Sequence, residues 1–175
     1  MSTTQIILAG FGGQGILFAG KLLSYAGMLS GKHVSWLPSY GPEMRGGTAN
    51  CHVIISDKQI ASPIITKPDI LIALNGPSLD KFENDVKVGG MIIYDSSLIS
   101  RNLNRDDVAN IACPATQIAT DMNASTLANM VSLGKLIANS DLVTKEQLCE
   151  AMKKSISSKK QDLLAINIKA IEAGM

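Results

Sequence analysis

Residues 6–17, Ile-Ile-Leu-Ala-Gly-Phe-Gly-Gly-Gln-Gly-Ile-Leu, join an apolar run to a cluster of glycines. The run is typical of a buried strand, and the apolar positions over 16–28 recur with the spacing of a helix. Gly10, Gly12 and Gly15 match G-x-G-x-x-G, a tight turn in which a backbone approaches an anion at a helix N-terminus. The stretch therefore predicts strand, turn and helix, with these candidate ligand residues: Gly10, Gly12, Gly13, Gln14 and Gly15.

A dinucleotide site would need a further residue that this chain lacks. Residues 33–37 are typical of a second strand, and an Asp or Glu near its end would hold a ribose hydroxyl. The strand carries no acid, and the nearest one, Glu43, lies within a loop. This weighs against a nucleotide-binding oxidoreductase, which stays open as an alternative that a titration with NADH would test.

The loop over residues 38–47, Pro-Ser-Tyr-Gly-Pro-Glu-Met-Arg-Gly-Gly, is the second candidate site. Its two prolines and three glycines make it rigid in some places and sterically open in others. Arg45 would offer a planar fork to a phosphate or carboxylate, and Tyr40 an aromatic face. Ser39 and Glu43 complete the candidate set. The alternative is a surface turn with an Arg–Glu ion pair.

Composition limits the possible functions. A chain of 175 residues suits one domain with a full hydrophobic core. The net charge of +1 gives no indication of a nucleic-acid partner, and the apolar runs are shorter than the roughly 20 residues that span a bilayer. A strand pattern begins within five residues of the N-terminus, without a secretory signal, so we expect a cytoplasmic protein.

Three cysteines, Cys51, Cys113 and Cys149, lie far apart in the sequence. An iron–sulfur cluster normally needs four thiolates, so the chain cannot hold one alone. A structural zinc site is not expected either, and no metal ligands are predicted. We expect three small buried hydrophobic residues in a reducing compartment.

The remaining pattern predicts an α/β chain. Residues 48–56 are strand-like and could form a hairpin with 59–65, while His52 on the first of these strands is expected to be structural. Asp95, Ser96 and Ser97 follow a buried strand and form either a polar rim or a loop without a role. The other predicted strands cover 70–74, 91–95 and 108–113, and the helices 79–86, 124–137, 161–173, one beginning at Pro114 and one capped by Thr144 and Gln147.

Small residues around Gly134 predict close packing of another element against the 124–137 helix. The expected fold is a single Rossmann-like α/β domain over 1–175. It has a mostly parallel sheet, a β-hairpin insertion and a helical C-terminal third.

The motif over 10–16, followed by the one over 38–48, resembles the gamma subunit of the 2-oxoacid:ferredoxin oxidoreductases. The resemblance covers nearly the whole chain and includes residues 49–53 and 128–134. The glycine motif alone is weak evidence, but the pair at this spacing is specific.

This resemblance implies the reaction of a complex. A 2-oxoacid is decarboxylated on thiamine diphosphate, electrons pass through iron–sulfur clusters to ferredoxin, and the acyl group goes to coenzyme A. Thiamine diphosphate and the clusters would belong to partner alpha and beta subunits, and to a delta subunit where one is present. The chain alone would have little activity. Phe11 and the 42–47 pattern are similar to the 2-oxoglutarate and branched-chain (2-ketoisovalerate) types, and we favour 2-oxoglutarate, which would yield succinyl-CoA.

The contribution of the chain itself has two interpretations. The glycine turn and residues 39–45 could bind coenzyme A, with backbone N–H groups from Gly12, Gly13 and Gly15, charge from Arg45 and a stacking face from Tyr40. Alternatively, both loops dock partner subunits. A scaffolding subunit without a ligand is the remaining alternative.

Overall fold

A computed structural model describes residues 3–39, 48–156 and 161–175 of the chain. Within them, six strands form one sheet in the order β2-β3-β1-β4-β5-β6. The strands are β1 (Thr3–Phe11), β2 (His33–Ser39), β3 (Thr48–Ser56), β4 (Ile70–Ala73), β5 (Met91–Asp95) and β6 (Ala109–Cys113). The helices are α1 (Ile16–Leu29), α2 (Gly76–Phe82), α3 (Ala115–Asp121), α4 (Ala128–Ala138), α5 (Lys145–Ser155) and α6 (Gln161–Gly174).

Most neighbours in the sheet run parallel, as predicted. β1, β4, β5 and β6 are parallel in succession, whereas β3 runs antiparallel to both β1 and β2. β2 therefore has the same direction as β1, two strands away from it.

The predicted hairpin between 48–56 and 59–65 is wrong, because 59–65 forms no strand. Both edges of β3 are already occupied, one by β1 and the other by β2. The segment after β3 lies instead against one face of the sheet, where the Ile65 N–H donates to Nδ1 of His52 at 3.1 Å. His52 thus has the structural role that the sequence indicated.

Both faces of the sheet are covered. Ile6 and Leu8 of β1 belong to the core beneath α1, α4, α5 and α6, and Ile7 and Ala9 belong to the core beneath α2. A strand that is buried on both faces reads as an unbroken apolar run, which is the pattern of β1.

Helix ends follow local signals. The Thr144 hydroxyl accepts from the Gln147 N–H at 3.2 Å, and the Gln147 side chain accepts from the Thr144 N–H at 2.9 Å, so the predicted capping box is present. α1 and α6 have 14 residues each. In the described part of the chain, none of the helices has the length and apolar character required to cross a bilayer.

The thiols of Cys51 and Cys113 are buried, and that of Cys149 is partly buried. Burial raises the pKa of Cys51 to about 12 and that of Cys113 to about 11. Two of the three cysteines are therefore inert core residues, as expected.

Candidate functional site at the carboxyl edge of the sheet

The glycine turn and the two residues that flank the rest of the second predicted loop, Ser39 and Thr48, lie at one edge of the sheet, which we call the carboxyl edge. β1, β2, β4, β5 and β6 all end there, and β3 begins there. Phe11 at the end of β1 pairs with Thr48, and Ser39 at the end of β2 pairs with Asn50, which also pairs with Ala9. Because strands lie about 4.8 Å apart, Ser39 is about 10 Å from β1.

Ser39 and Thr48, the described residues on either side of 40–47, are thus at the edge that carries the glycine turn. Ser39 is exposed there. Tyr40, Glu43 and Arg45 lie outside the described residues, so their roles stay predictions.

The order of strands reverses between β1 and β4. From β1 the chain passes through α1 to β2 on one side, and from β4 it passes through α2 to β5 on the other. Open α/β sheets bind ligands at such a switch point, outside the carboxyl ends of the strands. We call the space between the ends of β1 and β4 the switch-point crevice; it is bounded by Gly10 and Leu74.

The glycine turn spans residues 11–15 and leads directly into α1. The Gln14 N–H donates to the Phe11 carbonyl at 3.1 Å, and Gly13 and Gly15 have φ values of 97° and 70°. These are left-handed conformations, which favour glycine. Gly15 is the N-cap of α1, and no side chain caps that helix.

Two of the three fingerprint glycines are explained by contacts inside the protein. A Cβ on Gly10 would lie 2.7 Å from Oε1 of Gln14 and 2.9 Å from the Ile16 side chain. A Cβ on Gly15 would overlap Nδ2 of Asn129, which donates to the Gly15 carbonyl at 3.0 Å. The third, Gly12, and its neighbour Gly13 are both exposed, and a Cβ on Gly13 would meet no atom within 4 Å.

Gln14 has its side chain directed inward. Its Oε1 accepts from the Phe11 N–H at 2.6 Å, and its Nε2 donates to the Leu74 carbonyl at 3.3 Å. Nδ2 of Asn75 also donates to Oε1, at 3.4 Å. The carboxamide therefore connects the ends of β1 and β4, and its polar atoms are engaged within the chain.

Asn75 is a residue of this edge that the sequence reasoning missed. It is 2% exposed, and its Oδ1 accepts from the Ser78 N–H at 2.8 Å as the N-cap of α2. An Asn that directly follows a buried strand and stands two residues before Pro77 carries a capping signal that could have identified it.

The polar residues after β5 are used for packing. Asp95 is fully buried and accepts from the Thr116 N–H at 3.1 Å and from its hydroxyl at 2.5 Å. The Ser97 hydroxyl accepts from the Gln117 N–H at 3.1 Å. Of the two alternatives, a polar rim or a loop without a role, the polar rim is present, and it holds the start of α3 to the end of β5.

The sheet order adds a reason against a dinucleotide site. In dinucleotide-binding folds the second strand lies beside the first, so its terminal acid reaches the ribose. Here β3 lies between β1 and β2, and the end of β2 carries Ser39. In the ranges 3–39, 48–156 and 161–175, no group of three or more His, Cys, Asp or Glu residues is placed to hold a metal ion.

Comparison with known proteins shows which family has this architecture. The family model described as pyruvate ferredoxin/flavodoxin oxidoreductase matches residues 5–175. Ketoisovalerate oxidoreductase subunit VorA of Methanothermobacter thermautotrophicus is 41% identical over 171 residues, which are 97% of this chain and 35% of that protein. The chain therefore spans about a third of the length of that relative. 2-Oxoglutarate synthase subunit KorC of Methanocaldococcus jannaschii is 38% identical over 93% of this chain and 90% of that protein.

Two solved structures share the fold. The gamma subunit of a keto/oxoacid ferredoxin oxidoreductase from Geobacter sulfurreducens superposes with a TM-score of 0.83 at 32% identity, covering 98% of this chain and 95% of that one. A 2-oxoglutarate:ferredoxin oxidoreductase from Magnetococcus marinus, solved with 2-oxoglutarate, coenzyme A and succinyl-CoA bound, superposes with a TM-score of 0.90 at 26% identity. There the match covers 99% of this chain and 30% of the other.

The family resemblance carried by the two motifs and the α/β fold predicted from the pattern of strands and helices are confirmed. Relatives bear both the ketoisovalerate and the 2-oxoglutarate names, so the likeness holds for both substrate types. The family model matches residues 5–175, which is nearly the whole chain. The match also covers 95% of the Geobacter sulfurreducens gamma subunit, so the two findings lead to one assignment. The chain belongs to the pyruvate ferredoxin/flavodoxin oxidoreductase family and has the fold of its gamma subunits.

Proposed function

We propose that the chain works as the gamma subunit of a 2-oxoacid:ferredoxin oxidoreductase, with alpha and beta partners that carry thiamine diphosphate and the iron–sulfur clusters. The observation that supports this most directly is the strand register, which brings the glycine turn and the residues that flank the second motif to the carboxyl edge through the pairs Phe11–Thr48 and Ser39–Asn50. Electrons would leave the assembled complex through ferredoxin, and the chain alone would show little activity.

Within that complex, coenzyme A is the ligand that best suits the outer rim of the glycine turn. No described residue accepts a hydrogen bond from the N–H of Gly12 or Gly13, and α1 directs its positive end toward the same place. Phosphate groups suit such donors, and Arg45 would add charge. The Magnetococcus marinus relative was solved with coenzyme A bound, which supports this choice of ligand. Gln14 would support the turn instead of contacting the ligand.

Docking of partner subunits is the competing role for the same edge. Phe11 and Phe18 are 41% and 38% exposed, and one lies in the turn while the other lies in the first turn of α1. Exposed aromatic side chains of this kind are typical of protein interfaces. One loop could bind coenzyme A while the other contacts a partner.

Isothermal titration of coenzyme A against the intact complex tests the ligand role. An Arg45→Ala complex that assembles normally and binds coenzyme A about tenfold or more weakly supports it. Unchanged affinity removes the phosphate role from Arg45. Loss of the partner subunits from the Arg45→Ala chain supports docking.

For the substrate, we propose 2-oxoglutarate, with 2-ketoisovalerate as the alternative that the 41% identical relative favours. Ferredoxin reduction by the purified complex, measured with each 2-oxoacid in the presence of coenzyme A, distinguishes the two. A higher kcat/KM for 2-ketoisovalerate would reverse the choice.

Isolation of the tagged chain from native extract tests the assembly. We expect thiamine-containing and cluster-containing subunits to accompany it in fixed proportion. Recovery of a lone monomer at every salt concentration would contradict the gamma-subunit role, and binding of no ligand by an otherwise intact complex would favour the scaffolding alternative.

A further inference from the structure

The side chain of Gln14 lies across the switch-point crevice. It accepts from the Phe11 N–H at 2.6 Å on the β1 side and donates to the Leu74 carbonyl at 3.3 Å on the β4 side. Its oxygen lies 2.7 Å from the position that a Cβ on Gly10 would take, so the carboxamide is in direct contact with the backbone of that glycine.

Two donors converge on the Gln14 oxygen. They are the backbone N–H of Phe11 at 2.6 Å and Nδ2 of Asn75 at 3.4 Å. Asn75 is held in place because its own oxygen caps α2. A phosphate oxygen in a dinucleotide turn accepts from backbone N–H groups in the same way, so the carboxamide oxygen occupies donors that a phosphate oxygen could otherwise use.

We propose that Gln14 determines specificity by closing the switch-point crevice to nucleotide pyrophosphate, which restricts any phosphate ligand to the outer rim at Gly12 and Gly13. This proposal goes beyond the proposed function, because it concerns which ligands the fold excludes. It also explains why a G-x-G-x-x-G turn is compatible with a second strand that carries no acid. Gly10 makes room for the side chain of Gln14, and Gly15 makes room for that of Asn129.

Titration of ADP against the complex that contains the full chain tests the proposal. We expect no saturable binding to the wild type in the crevice and a gain of about tenfold or more in ADP affinity for Gln14→Ala, which frees the Phe11 N–H and Asn75. Gln14→Glu keeps the length and the acceptor atoms, so it should give no gain. Gln59→Ala, which changes an exposed glutamine in the segment after β3, is the matched control and should behave like the wild type.

A folded Gln14→Ala chain that binds ADP no better than the wild type would overturn the proposal. So would wild-type binding of ADP that saturating coenzyme A does not displace and that Gln14→Ala leaves unchanged. If Gln14→Ala does not fold, hydrogen exchange in the wild-type complex decides. The Phe11 amide should exchange about tenfold or more slowly than those of Gly12 and Gly13, with or without saturating ADP, since Gln14 shields it.

Equal exchange at the three amides, or protection of Phe11 that appears only with ADP, would contradict the proposal. A parallel titration with coenzyme A reports on the proposed function separately. Failure of coenzyme A to bind would leave the ADP comparison intact.

Discussion

At the scale of single residues, the glycines over residues 10–15 are required for different reasons. Gly13 is needed for its backbone conformation, Gly10 for the side chains of Gln14 and Ile16, and Gly15 for both its conformation and Asn129. The pattern was sufficient to predict the turn. It could not predict the contact with Asn129, which is 114 residues away in sequence, since spacing carries no information on distant partners.

Gly15 and Gly31 form a matched pair that separates these causes. Both have positive φ, at 70° and 76°, but a Cβ on Gly31 would meet no atom within 4 Å, while one on Gly15 would overlap Asn129. We expect Gly31→Ala to lower the free energy of unfolding by about 1 kcal/mol and Gly15→Ala by about 2–4 kcal/mol. Urea unfolding measures both values, and equal losses would contradict the packing role.

The double variant Gly15→Ala/Asn129→Ala refines this comparison. If the overlap with Asn129 is the additional cost, Gly15→Ala should be less destabilising in the Asn129→Ala background than in the wild type. If the losses of the two single variants simply add up in the double variant, the cost of Gly15→Ala comes from the backbone conformation alone.

His52 predicts a dependence of stability on pH. Burial lowers the pKa of His52 below its ordinary value of 6.5, and its Nδ1 must stay unprotonated to accept from the Ile65 N–H. The unfolded chain therefore binds this proton more readily than the folded one. The stabilisation is fully present above about pH 6.5 and is lost as pH falls toward the lowered pKa.

His52→Gln should reduce the difference in unfolding free energy between about pH 7.5 and about pH 5.5, because the substituted side chain does not titrate there. The exposed His33 provides the control variant His33→Gln. An unchanged pH dependence in His52→Gln would assign the effect to other groups.

At the scale of elements, α4 and α6 pack closely through two reciprocal glycines. A Cβ on Gly134 would overlap the Ile171 carbonyl, and one on Gly174 would overlap the Val131 carbonyl. Since backbone cannot yield as a flexible side chain can, the helices would have to separate. The small residues of the sequence indicated close packing here, but not the partner helix.

We expect Gly134→Ala to cost about 3 kcal/mol or more of stability, despite the better helix propensity of alanine. Gly76→Ala in α2 is the control, because a Cβ there would meet no atom within 4 Å, and it should be neutral or slightly stabilising. Thermal and urea unfolding of both variants test this. A neutral Gly134→Ala would mean that the helices have room to move.

The connection from β5 to β6 has no helix of its own and is held by Arg101. Its guanidinium contacts Glu83 at 2.6 Å and Asp80 at 2.7 Å, and Glu83 also accepts from the Asn104 N–H at 2.6 Å. The two carboxylates differ in exposure, with the Glu83 side chain 3% exposed and that of Asp80 65%. The buried one should therefore carry most of the stabilisation.

Glu83→Gln is expected to lower the free energy of unfolding by about 2–3 kcal/mol, and Asp80→Asn by about 0.5 kcal/mol or less. Addition of salt should reduce the smaller loss further. Similar losses for the two variants would show that burial does not decide the strength of these contacts.

At the scale of the whole molecule, the elements could be predicted and part of their pairing could not. The strands and helices are near their predicted positions, because apolar period and capping signals are local. The predicted pairing of β3 with residues 59–65 was wrong, since the pairing of strands depends on segments far apart in sequence. The carboxyl edge became visible only with the register of the strands, although the glycine turn and the 38–47 segment were both identified from their residues.

The position of β1 also governs how the chain must fold as it is synthesised. β1 ends at residue 11, but its two neighbours in the sheet, β3 and β4, begin only at residues 48 and 70. Until β3 leaves the ribosome, both edges of β1 are open, and one edge stays open until β4 follows; meanwhile only α1 covers a face of its apolar run. The nascent chain therefore exposes the apolar run of β1 while the residues up to the start of β4 are synthesised, the period in which a chaperone would protect it.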